Sequence, residues 1–449
     1  MKNIFLILSI ALISLQAKQP NIIFMIGDGM GPAITTAYRY FKDDPKTKEV
    51  EKTILDELYV GSSSTYSYEA PPVVTDSAAA ATALATGVKT KNGYIGVNED
   101  KQELQTLLEK AKLFGYQTAM LVTSTLTHAT PASFIAHHDN RRDEAEIAKD
   151  YLDKNILGML KFDLLMGGGL RHFEEAFSDF PRKLAEEGIT LYKDRKSIKR
   201  LKKLPAMAFT AYDKPPFAID MKEGDQPYRS KQMLKKALTL MDSKRPFFMM
   251  VEGSQIDWCG HENDMACALR EMDDFVASIK LAKAYVDTHS NTLLIITADH
   301  STGGLAIGQK IGKKSQLSKK ERKRKSYQWN PSVLKKIKIS ATAMTKKVFG
   351  LGDARKIEKL FVDHMAIALT KKERQTLAQE SLRACKKFKS CKLHDKISSI
   401  VDKRSHTAWT THGHTAVDVP VFAYGQSSSL FHGFMDNTDI SKKLASLLK

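Results

Sequence analysis

The sequence predicts an α/β fold, a mostly parallel central sheet with helices on both faces. Three observations lead there: apolar runs of strand length recur along the chain, helical patterns lie between them, and chemistry-bearing motifs begin where runs end. The runs are Asn21–Ile26, Gln117–Val122, Phe162–Met166, Pro246–Val251, Thr292–Thr297 and Val419–Tyr424. Near-continuous apolar runs suit strands buried on both faces. Helical patterns cover Leu104–Leu113, Lys231–Met241 and Glu262–Val286. Asp28 follows the first run, Glu252 the fourth and Asp299 the fifth. Ligands in open α/β sheets bind at the carboxyl ends of strands, so this placement suits a binding site.

At 449 residues the chain exceeds the usual limit of one core, and 42% hydrophobic content argues against global disorder. Residues 1–17 read as a signal peptide, with Lys2 in a charged start, an apolar stretch Ile4–Leu15 and a small residue at Ala17. That stretch is too short to span a bilayer comfortably, so the expectation is an exported protein, periplasmic or secreted, with no transmembrane segment in its mature chain. Residues 18–304 with 405–449 form the expected α/β catalytic domain. Residues 305–404 read as a basic, partly helical insertion, with a helical stretch at Leu360–Leu369. Phe180–Leu204 reads as an amphipathic surface helix.

The formal charge of +18 owes much to a tract between Lys313 and Lys325. A solvated loop explains such a run, and attraction of anionic substrates or envelope surfaces is its functional reading; no specific nucleic acid is expected. Four cysteines fit an oxidising compartment. Cys385 and Cys391 could close a small loop. Cys259 and Cys267 read as inert thiols or a local disulfide ahead of a zinc-cysteine site.

The motifs point to metal-assisted chemistry at a serine. Ser77 lies in Asp76-Ser-Ala-Ala-Ala, and a lone hydroxyl is a poor nucleophile unless something activates it. The alanine-rich segment after it forms helix readily, which would aim backbone N–H groups at a phosphate. Asp257 and His261, four apart, face one way on a helical turn and with His414 make a zinc-type set. Asp299, His300 and Asp28 offer a second set beside the Ser77 oxygen. Glu252, Thr130 and Asp28 offer an all-oxygen set that suits magnesium. Two divalent ions about 4 Å apart could serve an in-line displacement, with a third supporting them. Arg141 and Arg142 are both candidate phosphate clamps, and spacing does not choose between them. Any one of these pairs alone would read as ordinary polar surface.

Together, Gly27-Asp-Gly-Met-Gly31, Asp76-Ser-Ala-Ala-Ala80, His128-Ala-Thr-Pro131, Glu252–His261, Ala298–Gly303 and Gly413-His-Thr415 resemble the alkaline phosphatase family. The resemblance runs from Asn21 to Gly425 apart from the insertion. It implies phosphate monoester substrates and Ser77 as nucleophile through a phosphoserine. It further implies one zinc at Asp257, His261 and His414, a second at Asp28, Asp299 and His300, and magnesium at Asp28, Thr130 and Glu252. It selects Arg141 over Arg142, and His414 over His406 and the fallback His412. A homodimer is also expected from the resemblance. Two departures stand out: His128 replaces an aspartate and Trp258 a lysine of well-known bacterial members. The tryptophan removes a cation from the phosphate's surroundings, and His128 is expected to influence the third site without coordinating. A sulfatase or phosphodiesterase on a related metal core is the nearest other enzyme. A non-catalytic polyanion binder is the reading from another class.

Overall fold

The computed structural model describes residues 19–448, apart from 70–72, 155–157, 222–228, 242–243, 309–327, 386 and 389–390. Residues 1–17 and the tract between Lys313 and Lys325 lie outside the described residues, so the readings made on them rest on sequence alone.

Fourteen strands are described: β1 Asn21–Gly27, β2 Tyr59–Ser64, β3 Gln117–Thr125, β4 Leu164–Gly168, β5 Thr190–Tyr192, β6 Ala206–Phe209, β7 Phe247–Gly253, β8 Thr292–Ala298, β9 Ser301–Thr302, β10 Ala306–Ile307, β11 Thr407–Ala408, β12 His414–Thr415, β13 Val419–Gly425 and β14 Gly433–Asp436. Ten of them build one sheet in the order β14-β2-β13-β8-β1-β7-β3-β4-β6-β5, and only β13 runs antiparallel to its neighbours. Every apolar run predicted as a strand is one.

The sheet is apolar on both faces because side chains alternate along each strand. Ile23 and Met25 of β1, Met249 and Val251 of β7, and Leu294 and Ile296 of β8 point into one core. Ile22, Phe24, Met250 and Ile295 point into the other. The first core is covered by helices Pro32–Lys42, Ser230–Met241 and Met265–Thr288, the second by Ser77–Thr86, Leu107–Leu113 and Asn437–Leu447. Between residues 328 and 405 the chain is helical, and Leu334, Met344, Ile357, Leu377 and Ile397 pack into the first core.

Two readings need correction. Phe180–Leu204 is not one helix: Phe180–Glu186 is helical, Thr190–Tyr192 pairs with β6, and Arg195–Lys199 is helical again. Gly188, with φ of 69°, ends the first piece, as glycine does in the left-handed region. The helix predicted from Glu262 begins at Met265, after Asn263 at positive φ, with Asp264 capping it. Cys259–Cys267 and Cys385–Cys391 are both disulfides. The first ties the short helix Gln255–His261 to the long one after it.

Register positions the chemistry. Gly27 pairs with Gly253 on one side and Ala298 on the other, so Asp28, Ser254 and Asp299 leave the same edge side by side. Gly29 follows at φ of 72°, and a Cβ there would sit 2.8 Å from Asp257 Cα. Gly29→Ala is therefore expected to cost about 2–5 kcal/mol, from left-handed strain plus overpacking. Chemical denaturation reads this directly, and a loss under about 1 kcal/mol would show that the turn can relax.

Candidate active site

Four carboxylates meet at the carboxyl ends of β1, β7 and β8. Asp28, Glu252, Asp257 and Asp299 are all buried. Asp28, Asp299 and His300 each offer one ligand atom, all within 4.8 Å of one another; Asp257, His261 and His414 do the same, as do Asp28, His128 and Glu252. Spacing thus leads to three converging groups that share Asp28 between two of them.

The helix Gln255–His261 follows β7 directly and carries Asp257 and His261 one turn apart, their side chains 3.3 Å apart. His414 reaches them on β12, which pairs with β9, and its Nε2 lies 3.1 Å from His261 Nε2. His300 lies flat against His414, ring centres 3.6 Å apart. Hydrogen bonds fix which nitrogen of each ring is free. His414 Nδ1 donates to Thr75 O at 2.9 Å, and His261 Nδ1 donates to the His412 carbonyl. Thr302 donates its hydroxyl to Asp257 at 2.6 Å, so His300 Nδ1 donates to Thr302 at 3.2 Å. All three Nε2 lone pairs therefore face the carboxylates, as metal-binding imidazoles require.

Ser77 is the first residue of the helix Ser77–Thr86, capped by Asp76, which accepts from Ala79 N at 2.9 Å. Its hydroxyl lies 3.2 Å from His300 Nε2, and Asp28 is 3.4 Å from the same nitrogen. Arg141 is half-buried and Arg142 exposed. Arg141 Nη1 donates to Asp76 at 3.1 Å while Nη2 lies 3.4 Å from His128 Nε2. The structure brings Arg141 to the serine and leaves Arg142 outside. His412 accepts from His261 Nδ1 through its carbonyl and returns its own Nδ1–H to the His261 carbonyl at 2.9 Å, and His406 ends the helix Lys392–Ser405.

Sequence reasoning assigned no role to Asp76 or Thr302. Asp76 caps the serine's helix and holds Arg141; Thr302 bridges Asp257 and His300. Both stand inside quoted motifs, one residue from Ser77 and two from His300. That adjacency was the available signal.

His128 stands beside the third group. Its Nδ1 is buried without a hydrogen bond, 3.9 Å from Asp28 and as near Glu252 as a donor would be. Trp258 stands edge-on to it at 5.7 Å. Thr130 lies close enough to Glu252 to favour its ionised form, yet neither oxygen completes a hydrogen bond of normal geometry.

Buried polar atoms are normally paired. Here both oxygens of Asp28, both of Glu252, Asp299 Oδ2, Thr130 Oγ1 and His128 Nδ1 are buried with no partner. Burial and neighbouring carboxylates push Asp28 up strongly, and the same causes take Glu252 to about 8 and Asp299 to about 7. Burial lowers His128 to about 3, helped by the Arg141 guanidinium, and lowers His300 and His414. Burial also works against an ionised Asp257, but the imidazoles around it outweigh that and hold it low. Hard oxygens in excess, neutral imidazoles and no internal cation in their midst are the donor set of divalent metals.

The alkaline phosphatase profile matches residues 19–449. Alkaline phosphatase 3 of Bacillus subtilis (strain 168) is 40% identical over 435 residues, covering 97% of this chain and 90% of that protein. The crystal structure of a cold-active alkaline phosphatase from a psychrophilic Shewanella superposes with a TM-score of 0.85 at 37% identity, covering 96% of this chain and 100% of that one. A mutant of the alkaline phosphatase from the Antarctic bacterium TAB5, with Mg bound in its M3 site, is 26% identical with a TM-score of 0.66, covering 96% of this chain and 98% of that one.

The carboxylate cluster sets a pH dependence for the chain stripped of divalent cations. Between about pH 7 and 9 His128, His300 and His414, all lowered by burial, take up no proton in the folded chain, and an ordinary imidazole is mostly neutral in the unfolded one. Glu252 at about 8 and Asp299 at about 7 still bind protons that an unfolded chain has released. The stability this confers is present at low pH and is lost as pH rises through those values. Protein treated with chelator is expected to melt at lower temperature at pH 9 than at pH 7, with added zinc abolishing the difference. Equal melting temperatures in scanning fluorimetry would contradict the carboxylate crowding.

Proposed function

This chain belongs to the alkaline phosphatase family and is a phosphomonoesterase, and from that premise we propose that it works through a phosphoserine on Ser77 with two zinc ions and one magnesium. The three converging donor groups carry this reading, because they leave so many buried oxygens without partners. We assign one zinc to Asp257, His261 and His414, a second to Asp28, Asp299 and His300, and magnesium to Asp28, Thr130 and Glu252, with His128 beside it. The Mg bound in the M3 site of the Antarctic enzyme's mutant supports a magnesium of that kind. Divalent cations held there supply positive charge that favours ionised oxygen on the attacking and leaving atoms.

The chain's own residues do the rest. Ser77 Oγ, at the start of its helix, attacks phosphorus as the ester bond to the alcohol breaks, and the alcohol leaves. Backbone N–H groups of that first turn and the Arg141 fork bind the non-bridging oxygens. Asp76 holds Arg141 in place and leaves the guanidinium's other nitrogen near the site. Water then attacks phosphorus from the side the alcohol left, and Ser77 regains its proton as phosphate departs. A loose transition state asks mainly for positioning and charge, which this arrangement offers.

The pairing of a guanidinium with three cation groups favours a dianionic monoester over a singly charged diester. Residues 305–404 are, on this reading, an insertion in the catalytic domain. The Met1–Ala17 pattern supports export, and the family resemblance supports a homodimer.

Ser77→Ala is expected to lower kcat at least about 10³-fold while leaving zinc content intact, and acid-quenched protein should lose its phosphate adduct in mass spectrometry. A variant that keeps wild-type turnover would remove Ser77 from the mechanism. Arg141→Ala is expected to lower kcat/KM roughly 10–100-fold, the worth of a charge-assisted hydrogen-bond pair. His414→Ala should lose about one zinc per chain by elemental analysis and His412→Ala none; the reverse result would exchange their roles.

A further inference from the structure

A cleft of about 760 Å³ opens beside the site, with Trp258 and His261 on one wall and Thr342, Ala343 and Lys346 on the other. A volume of this order accommodates a small organic molecule. The first wall is the helix that carries Asp257 and His261; the second is the helix Ala341–Val348 of the 305–404 segment. Continuity with His261 means that an ester whose phosphate lies at Ser77 can extend its alcohol part only a short way before entering the cleft.

The lining brings together flat ring surfaces and exposed ammonium groups. Phe217 and Trp258 provide ring surfaces. Lys214 sits with its Nζ 4.9 Å over the Trp258 ring, and Lys346 rises from the opposite wall. Both lysines are exposed, and neither makes an ion pair among the described residues. The two carboxylates of the cleft are already engaged. Asp220 accepts from Ser340 N and Oγ, both at 2.7 Å, and Glu262 accepts from Thr342 at 2.7 Å. Of the charged groups lining the cleft, Lys214 and Lys346 are therefore the ones whose hydrogen-bonding capacity is open to a ligand's anion.

We infer that this cleft is the binding site for the alcohol portion of the substrate, and that it selects phosphomonoesters whose alcohol is planar and carries a second anionic group. The inference rests on the reading that phosphate binds at Ser77. Trp258 and Phe217 take the planar frame, while Lys214 and Lys346 take the second anion. A lysine at position 258 would put a cation beside the phosphate; tryptophan there gives a stacking surface and leaves the cation to Lys214, farther out on the rim.

The test compares phenyl phosphate with 4-carboxyphenyl phosphate, which differ by one anionic group far from phosphorus, in wild type, Lys214→Met, Lys346→Met and the double variant. Wild type is expected to show the lower KM for the carboxylated ester. The double variant should raise that KM roughly three- to tenfold, the worth of two rim ion pairs, with kcat and both phenyl phosphate constants within about twofold. 4-Hydroxybenzoate should inhibit wild type competitively and the double variant more weakly. Equal loss on both esters would place the lysines at the phosphate and overturn the cleft's role, as would no change on either. A wild-type chain that cleaves neither ester would overturn both this inference and the phosphoserine reading, whereas failure of the selectivity alone leaves the latter standing.

Discussion

Four acidic side chains are forced together at one edge of the sheet, and the rest of the site answers that crowding. Parallel pairing of β1 between β7 and β8 brings Asp28 and Asp299 out side by side with Glu252 near the end of β7, and the helix after β7 adds Asp257. Two like charges within 4.8 Å repel by about 3 kcal/mol even at an effective dielectric of 20. Hydrogen bonds within the protein relieve part of this: Gly29 N and His300 N both donate to Asp299 Oδ1. Thr302 donates to Asp257, while both oxygens of Asp28, both of Glu252 and Asp299 Oδ2 stay without partners. A fold that holds such a cluster must meet it with protons or with external cations, and the neutral imidazoles facing the same space favour cations.

Second-layer contacts convert that electrostatic demand into directed chemistry. Thr75 O, the His412 carbonyl and Thr302 each take the Nδ1 proton of one imidazole, which commits three Nε2 atoms to the centre. Asp76 plays the corresponding part for the anion side. One carboxylate caps the serine's helix, accepts from Gly93 N at 2.9 Å and steadies Arg141. On the proposed mechanism, Arg141 and the first-turn N–H groups are thereby fixed to the same turn as Ser77, so that little ordering is left for the substrate to drive.

Much of this was legible in the chain. Asp28, Glu252 and Asp299 sit just past apolar runs, and near-continuous apolar character marks those runs as strands buried on both faces. The i, i+4 spacing of Asp257 and His261 is a property of helix geometry and survived into the structure. What was not legible is lateral. Nothing local says that β1 lies between β7 and β8, or that β13 turns antiparallel, because such neighbours are set by contacts hundreds of residues apart. Phe180–Leu204 was misread because its charge pattern fits a helix, while Gly188 and the pairing of Thr190–Tyr192 with β6 break it. Nor do the sequence neighbours of His128 reveal how closely its ring approaches Asp28.

The short helix Gln255–His261 then couples reactivity to substrate shape. Its Asp257 and His261 face the buried carboxylates, and Trp258 between them turns towards His128 and Lys214. A residue at position 258 thus touches the third donor group through His128 and the neighbouring cleft through its own ring. The disulfide from Cys259 to Cys267 links this helix to the long one that covers a core face, which limits independent movement of either side. Tryptophan at 258 consequently does more than delete a charge. It fills the gap between His128 and the cleft with apolar surface, lowers the local polarity that His128 experiences, and moves the nearest ammonium to the rim. On the two proposals above, chemistry at phosphorus and choice of alcohol are therefore set by opposite faces of one helical turn.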